Sequence, residues 1–392
     1  MEGALGLADQ GGAPDLATYR QEVRDWLARA PIPEEGANLD AIYPVNRAWH
    51  RQLAEAGWLG VTWPRELGGQ GLGTEHQLVV MEELARAGAP FPLAIINLYV
   101  VGPTLIAWGN TEQQQRHVRR ILHAEEIWCQ GFSEPDAGSD LGAMRTRATL
   151  EGEHFVVEGA KIWTSQAQFA DYCALMARTE PGSSGGKGIS YLIVDMKSPG
   201  IEVRPIRQLT GDAMFNQVFF NRVRVPAANL IGPLHGGWQV AMRSLASERS
   251  VIIAQRKAEA EAMLRTVVAA LRAHPAGVGE MLRWRIGRAR MQLATLDAQV
   301  REMNRRLQED QAPLGQESLD KLVLTPIEQD IMALAFDLLG PWRQLPEGSP
   351  LGLAAGRVMR KFFYSRSYSI SGGTTQIQRE TVARRLLGLP SA

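Results

Sequence analysis

The spacing of apolar residues changes twice along this chain, and that change limits the possible folds more than any single residue does. From Leu16 to about His123 apolar side chains recur every three or four positions, the repeat of one helical face. Helices are predicted over Leu16–Ala30, which stops before Pro31, and over Ile42–Gly57, where Val45, Trp49, Leu53 and Ala56 share a stripe. The Gly/Pro-rich loop Thr62–Gly73 closes this unit. Thr74 is placed to cap a helix over His76–Ala87, and further helices are predicted over Pro92–Gly109 and, capped by Thr111, to about His123. The period then shortens. Thr146–Leu150, His154–Lys161, Tyr172–Arg178, Ile189–Asp195 and Val218–Val225 read as strands rich in β-branched and aromatic residues between turn signals. From Gly237 the helical repeat returns over Gln239–Leu271, Gly277–Leu307, Leu319–Leu339 and Leu351–Tyr368. Short strands without long helices between them suggest an antiparallel sandwich or barrel. The expected architecture is therefore α+β, with an N-terminal helical domain over residues 1–125, a middle β domain over 126–236 and a C-terminal helical bundle over 237–392.

At 392 residues the chain exceeds one small core, so two or three domains are expected. Lysine plus arginine equals aspartate plus glutamate at 42 each. No overall field then steers the protein toward nucleic acid or an acidic membrane, and a small molecule or another subunit is the expected partner. Cys129 and Cys173 cannot form a disulfide framework, and without a CxxC or Cys/His cluster no metal site is expected. The start, MEGALGLADQGGAPD, has no basic region leading into an apolar one. No run of about 18 apolar residues offers a membrane span. A cytoplasmic, reducing location is the expectation.

Three short stretches carry the chemistry. In ISGGTTQIQRETVARRLLGLP (Ile370–Pro390) two glycines precede two hydroxyls and an amide. That order suits a backbone approaching a phosphate or nucleotide closely at a helix start, and it also suits a plain capped helix. GFSEPDAGSD (Gly131–Asp140) is a polar, turn-rich loop between helix and sheet, with tight turns expected at Pro135 and Gly138. GAKIWTSQ (Gly159–Gln166) places Trp163 and Ser165 two apart at a presumed strand end, where they would face one side. The loop PGSSGGKGIS (Pro181–Ser190) fails the phosphate-loop pattern, since Pro181 stands at the first glycine position, and reads as a mobile hairpin connection. No GxGxxG follows a strand.

Together and in this order, the three stretches resemble the acyl-CoA dehydrogenase family, and the resemblance covers almost the whole chain. It implies an FAD-dependent enzyme whose flavin lies between the β domain and a C-terminal four-helix bundle. It implies that Phe132, Ser133, Trp163 and Ser165 lie at the flavin ring, and that Ser139 faces the pantetheine or phosphate end of CoA. Gly373, Thr374 and Gln376 would meet the FAD phosphates or ribitol. The reaction removes an α-proton from an acyl thioester and passes a β-hydride to the flavin, so the protein must supply a base. Many members carry that glutamate just before the GTTQ-type turn, where this chain has Gly372. A second arrangement in the family places it in an LxxER pattern on the first bundle helix, and LASER (Leu245–Arg249) puts Glu248 there. Glu248 is the expected base, with Arg249 and Gly372 at the substrate; a glycine at 372 would leave room for a branched or bulky acyl group. An apolar flank at Val251 and Ile252 suits a carboxylate whose proton affinity is raised.

Two parts depart from the family. The R-x-x-F-G segment that reaches a neighbouring subunit's FAD is replaced by LRAHPAGVGEMLRWRIGRARMQ, in which Arg283, Arg285 or Arg288 could substitute. The later Gln-x-x-Gly-Gly-x-Gly segment is replaced by DLLGPWRQLPEGS (Asp337–Ser349). Both normally complete the cofactor site across an interface. The expected assembly is accordingly a homo- or hetero-tetramer, or a dimer, with an electron-transfer flavoprotein as acceptor. Two rivals remain on the same fold: a partner subunit that completes another chain's FAD site, and a flavin monooxygenase or nitroalkane-type oxidase.

Overall fold

The computed structural model describes residues 13–33, 39–93, 95–273, 279–308, 315–345 and 355–390. Among the described residues five helices come first: α1 (Leu16–Leu27), α2 (Leu39–Glu55), α3 (Thr74–Ala87), α4 (Gly102–Trp108) and α5 (Thr111–Leu122). α3 begins at Thr74 itself. α5 is capped by Asn110 rather than Thr111: the Asn110 side chain accepts from Gln113 N, and Asn110 N donates to the Gln113 side chain, a reciprocal box that satisfies two donors at the helix start. A π-helical turn, Asn97–Val101, leads into α4.

Eight strands follow: β1 (Trp128–Gly131), β2 (Arg147–Glu151), β3 (His154–Ser165), β4 (Tyr172–Arg178), β5 (Ile189–Asp195), β6 (Ile201–Ile206), β7 (Phe215–Pro226) and β8 (Leu230–Ile231). They form one sheet in the order β6-β7-β3-β2-β4-β5-β8, with β1 beside β4. Most pairings are antiparallel, but β1 and β2 each run parallel to β4. The core of the sheet packs Phe155, Val157, Leu175, Leu192, Val194, Val218 and Val223, the alternating inward residues of neighbouring strands.

The C-terminal helices are α6 (Gly237–Ala273), α7 (Glu280–Gln308), α8 (Gln316–Leu338), α9 (Ala355–Ser365) and α10 (Thr375–Thr381). Met263, Leu264 and Val267 of α6 meet Leu293 of α7, Ile327 and Ile331 of α8 and Val358 of α9 in one apolar cluster, so four helices share a core. The chain divides into two compact units. One comprises Met1–Val23, Pro31–Gln77 and Pro90–Glu248; the other comprises Arg24–Ala30, Leu78–Ala89 and Arg249–Ala392. Among the described residues no helix is long and apolar enough to cross a membrane.

Candidate active site

In the first unit the SEP loop and the end of β3 are joined. Ile162 N donates to Ser133 O at 2.9 Å, which sets Ser133 beside the residue preceding Trp163. Lys161, fully buried, donates from Nζ to Phe132 O at 3.0 Å and to the Glu134 carboxylate at 2.8 Å. Glu134 also accepts from the backbone N–H groups of Arg145 and Thr146, at 2.6 and 2.9 Å. Burial alone would raise the Glu134 proton affinity, but the ammonium and these donors outweigh it and hold the carboxyl below its ordinary range. Burial pulls Lys161 down, and Glu134 offsets only part of that effect. The SEP glutamate and the KIWTS lysine therefore lock one motif to the other, a role that sequence reasoning missed. The available signal was a lysine and a glutamate within two motifs that lie together.

Glu134 and Ala137 exchange backbone hydrogen bonds at 3.0 Å in both directions, closing a tight turn with Pro135 at its first corner. Ser139 follows it on the surface. The Phe132 ring is buried and packs edge-on to Tyr191, with centroids 5.7 Å apart, so this residue has only its backbone to offer a ligand. Ser133 and Ser165 are half-buried.

Trp163 is the unusual residue of β3. One extra residue between Lys161 and Thr164 shifts the register against β7. Trp163 there adopts φ 59°, a left-handed conformation uncommon for a bulky side chain, and remains 56% exposed. A bulge that re-aims a side chain is frequent beside functional sites. An indole held on the surface in a strained backbone does nothing for the sheet's own core.

The connection after β4 is not loosely held at its base. The Arg178 guanidinium donates to Ser183 Oγ at 2.9 Å, Lys187 O at 2.8 Å and Gly142 O at 2.9 Å. Five-donor arginine suits such a fork of acceptors, and it ties down the segment read from sequence as a mobile hairpin.

In the second unit Gly372 and Gly373 both have positive φ, 62° and 89°, which glycine alone adopts without cost. Gln378 Nε2 donates to Gly372 O at 2.8 Å, and buried Lys321 donates from Nζ to the carbonyls of Ser371 and Gly373. Thr374 caps α10, its hydroxyl accepting from Ile377 N at 3.2 Å. Gln376 is exposed. A Cβ built on Gly372 would meet only Lys321 Nζ, at 3.8 Å, within 4 Å. Glu248 and Arg249 stand on the helical backbone of α6, and their side chains lie outside the described residues. Of the three arginines expected from the sequence as substitutes at the interface, Arg285 pairs with Asp337 at 3.3 Å and Arg288 with Asp330 at 3.6 Å.

Family comparisons agree along the chain. Residues 13–125 match the acyl-CoA dehydrogenase N-terminal domain, 129–223 the middle domain and 235–387 the C-terminal domain. The acyl-CoA dehydrogenase IpdE1 of Mycobacterium tuberculosis is 37% identical, over 96% of this chain and 98% of that protein. Among solved structures, the Tcur3481-Tcur3483 steroid ACAD superposes with a TM-score of 0.87 at 30% identity, covering 98% of this chain and 100% of that one. The ChsE4-ChsE5 complex from Mycobacterium tuberculosis gives 0.84 at 30% identity, with the same coverage. A chain matched from end to end in three successive domains, with relatives of this identity over nearly its full length, belongs to the acyl-CoA dehydrogenase family.

Proposed function

We propose that this acyl-CoA dehydrogenase holds FAD against the Trp163 end of β3, takes the α-proton with Glu248 and acts on a bulky or branched acyl-CoA as one subunit of a mixed complex. The exposed, left-handed Trp163 carries the reading, because an indole 56% exposed at a strained bulge adds little to the sheet's own core. The residues present fit FAD. The sheet offers an aromatic face at Trp163, hydroxyls at Ser133 and Ser165 and the backbone of Phe132. Gly373, Thr374 and Gln376 stand at the start of a capped helix, which supports their assignment to the FAD phosphates or ribitol. When bound, FAD supplies the acceptor for the β-hydrogen and its electron pair.

The chain's own residues do the rest. Ser139 is assigned to the pantetheine or phosphate end of CoA, and Arg249 and Gly372 to the substrate. Glu248 accepts the α-proton; its position on a helix rather than on the Gly372 turn is supported by the turn's backbone, which disfavours any side chain at φ 62°. Open space around the absent Gly372 Cβ supports a wide acyl group, and so does likeness to a structure titled a steroid ACAD. The mixed complex is supported by the replaced interface segments and by likeness to a solved two-protein complex. The three-domain division at 125/126 and 236/237, a cytoplasmic location and an electron-transfer flavoprotein acceptor complete the proposal.

The test is the Glu248→Gln holoenzyme, titrated anaerobically with straight, branched and sterol side-chain acyl-CoAs while flavin absorbance is followed. Bleaching should slow by about a thousandfold or more, within the range of a lost general base, with FAD still bound. A variant that bleaches at the wild-type rate refutes the assignment.

A further inference from the structure

The polar stripe on α8 offers a role that the site above does not use. Lys321, Thr325 and Glu328 stand at i, i+4 and i+7, on one face of the helix, and all three are buried. At one end Lys321 Nζ donates to the carbonyls on either side of Gly372. At the other end Arg256 of α6 donates from Nε to Glu328 Oε1 at 3.0 Å and from Nη2 to Glu328 Oε2 and, at 3.2 Å, to Thr325 Oγ1. The Arg256 guanidinium also lies over the Tyr368 ring, 3.9 Å from its centroid, and Tyr368 belongs to the segment that runs into the glycine turn. Arg256 stands two helical turns beyond Glu248 on α6.

We infer that Lys321, Arg256 and Glu328 are positioning residues for the dehydrogenation. The stripe on α8 holds the glycine turn with one hand and the base-bearing helix with the other, fixing the two in register. An apolar seam would supply cohesion as well, since replacing a buried ion pair by apolar residues of similar size is often neutral or stabilising. It would not supply direction. A fork of three charge-assisted bonds fixes both the rotation and the translation of α6 against α8, and a two-pronged lysine fixes the turn.

The inference rests on the proposed roles of Glu248 and the Gly372 turn, so the experiment tests both separately. The holoenzyme carrying Arg256→Met with Glu328→Leu is compared with wild type in anaerobic flavin reduction by the acyl-CoA that bleaches wild type fastest. The expected result is a folded, yellow protein whose kcat for flavin reduction is about 100-fold lower, the size of loss a small misplacement produces. The acyl-CoA KM should change less than about threefold, marking a loss confined to the reacting geometry. Wild-type kcat in that variant overturns the inference, because the pair would then supply cohesion alone. If the double variant does not fold, Lys321→Met reads the stripe at its other end: the same fall in kcat supports the inference and wild-type kcat overturns it. Glu248→Gln in the same assay separates the two ideas, since a wild-type rate there defeats the assignment of the base whatever the stripe does.

Discussion

Trp163 carries the proposed flavin site at the scale of a single residue. A bulky residue in the left-handed region costs about 1 to 2 kcal/mol, and the Trp163 ring meets Phe215 edge-on, centroids 6.1 Å apart. Trp163→Gly removes the strain together with the indole. The flavin-free variant is expected to be as stable as wild type or up to about 1 kcal/mol more stable in urea, while FAD binds at least about tenfold more weakly (~1.4 kcal/mol). A variant that loses both stability and flavin would show that the indole belongs to the sheet. The KIWTS pattern gave away the residue but not the bulge, since one extra residue in a strand leaves no mark on local composition. Glu134 and Lys161 were hidden for another reason: in a sequence a glutamate and a lysine read as surface, and only pairing at 2.8 Å makes their burial affordable.

At the scale of elements, the helices and the longer strands were legible because their apolar repeat spans many residues. β6 was not: Ile201–Ile206 alternates partly buried with exposed positions at a sheet edge, so its apolar face is too weak to register. α8 is the opposite case. Its periodicity marked a helix, yet its buried polar face reads as a solvated one until α6 is packed on it. That face has a measurable signature. Burial raises Glu328 from its ordinary 4.5 to about 7, with Arg256 opposing only in part. Burial likewise raises Asp320 from 3.8 to about 6. A carboxyl with a raised folded value binds more protons folded than unfolded, so its contribution is complete below the unfolded value and is lost as pH rises through the folded one. Stability from these groups should therefore fall between about pH 4 and about pH 7. Urea midpoints across that window should show a shallower decline for Glu328→Gln than for wild type. An identical decline would mean that Glu328 is ionised throughout.

At the scale of the whole molecule, the proposed mixed complex rests on two segments that depart from the family pattern, residues 271–292 and Asp337–Ser349. Of the three candidate substitutes, Arg283, Arg285 and Arg288, the last two pair with Asp337 and Asp330, and the proposal gives the missing contact to another polypeptide. Expressed alone, the chain should copurify with well under one FAD per subunit, and coexpression with a second acyl-CoA dehydrogenase-type subunit should restore the yellow colour. One flavin per chain in the protein expressed alone would make it self-sufficient. The order of the three domains could be read from the sequence; the completeness of the site could not, because a contact made across an interface is written in two sequences.

The glycine turn also limits what a single substitution can do. With the backbone of residue 372 at φ 62°, a carboxylate is not placed there by one substitution without strain. A glutamate restored at 372 would find room for its first carbon but a backbone hostile to any side chain, held in that form by Lys321 and Gln378. If the base stands on α6, as proposed, a single substitution at 372 does not bring it to the turn, and the space beside that glycine stays open to the substrate.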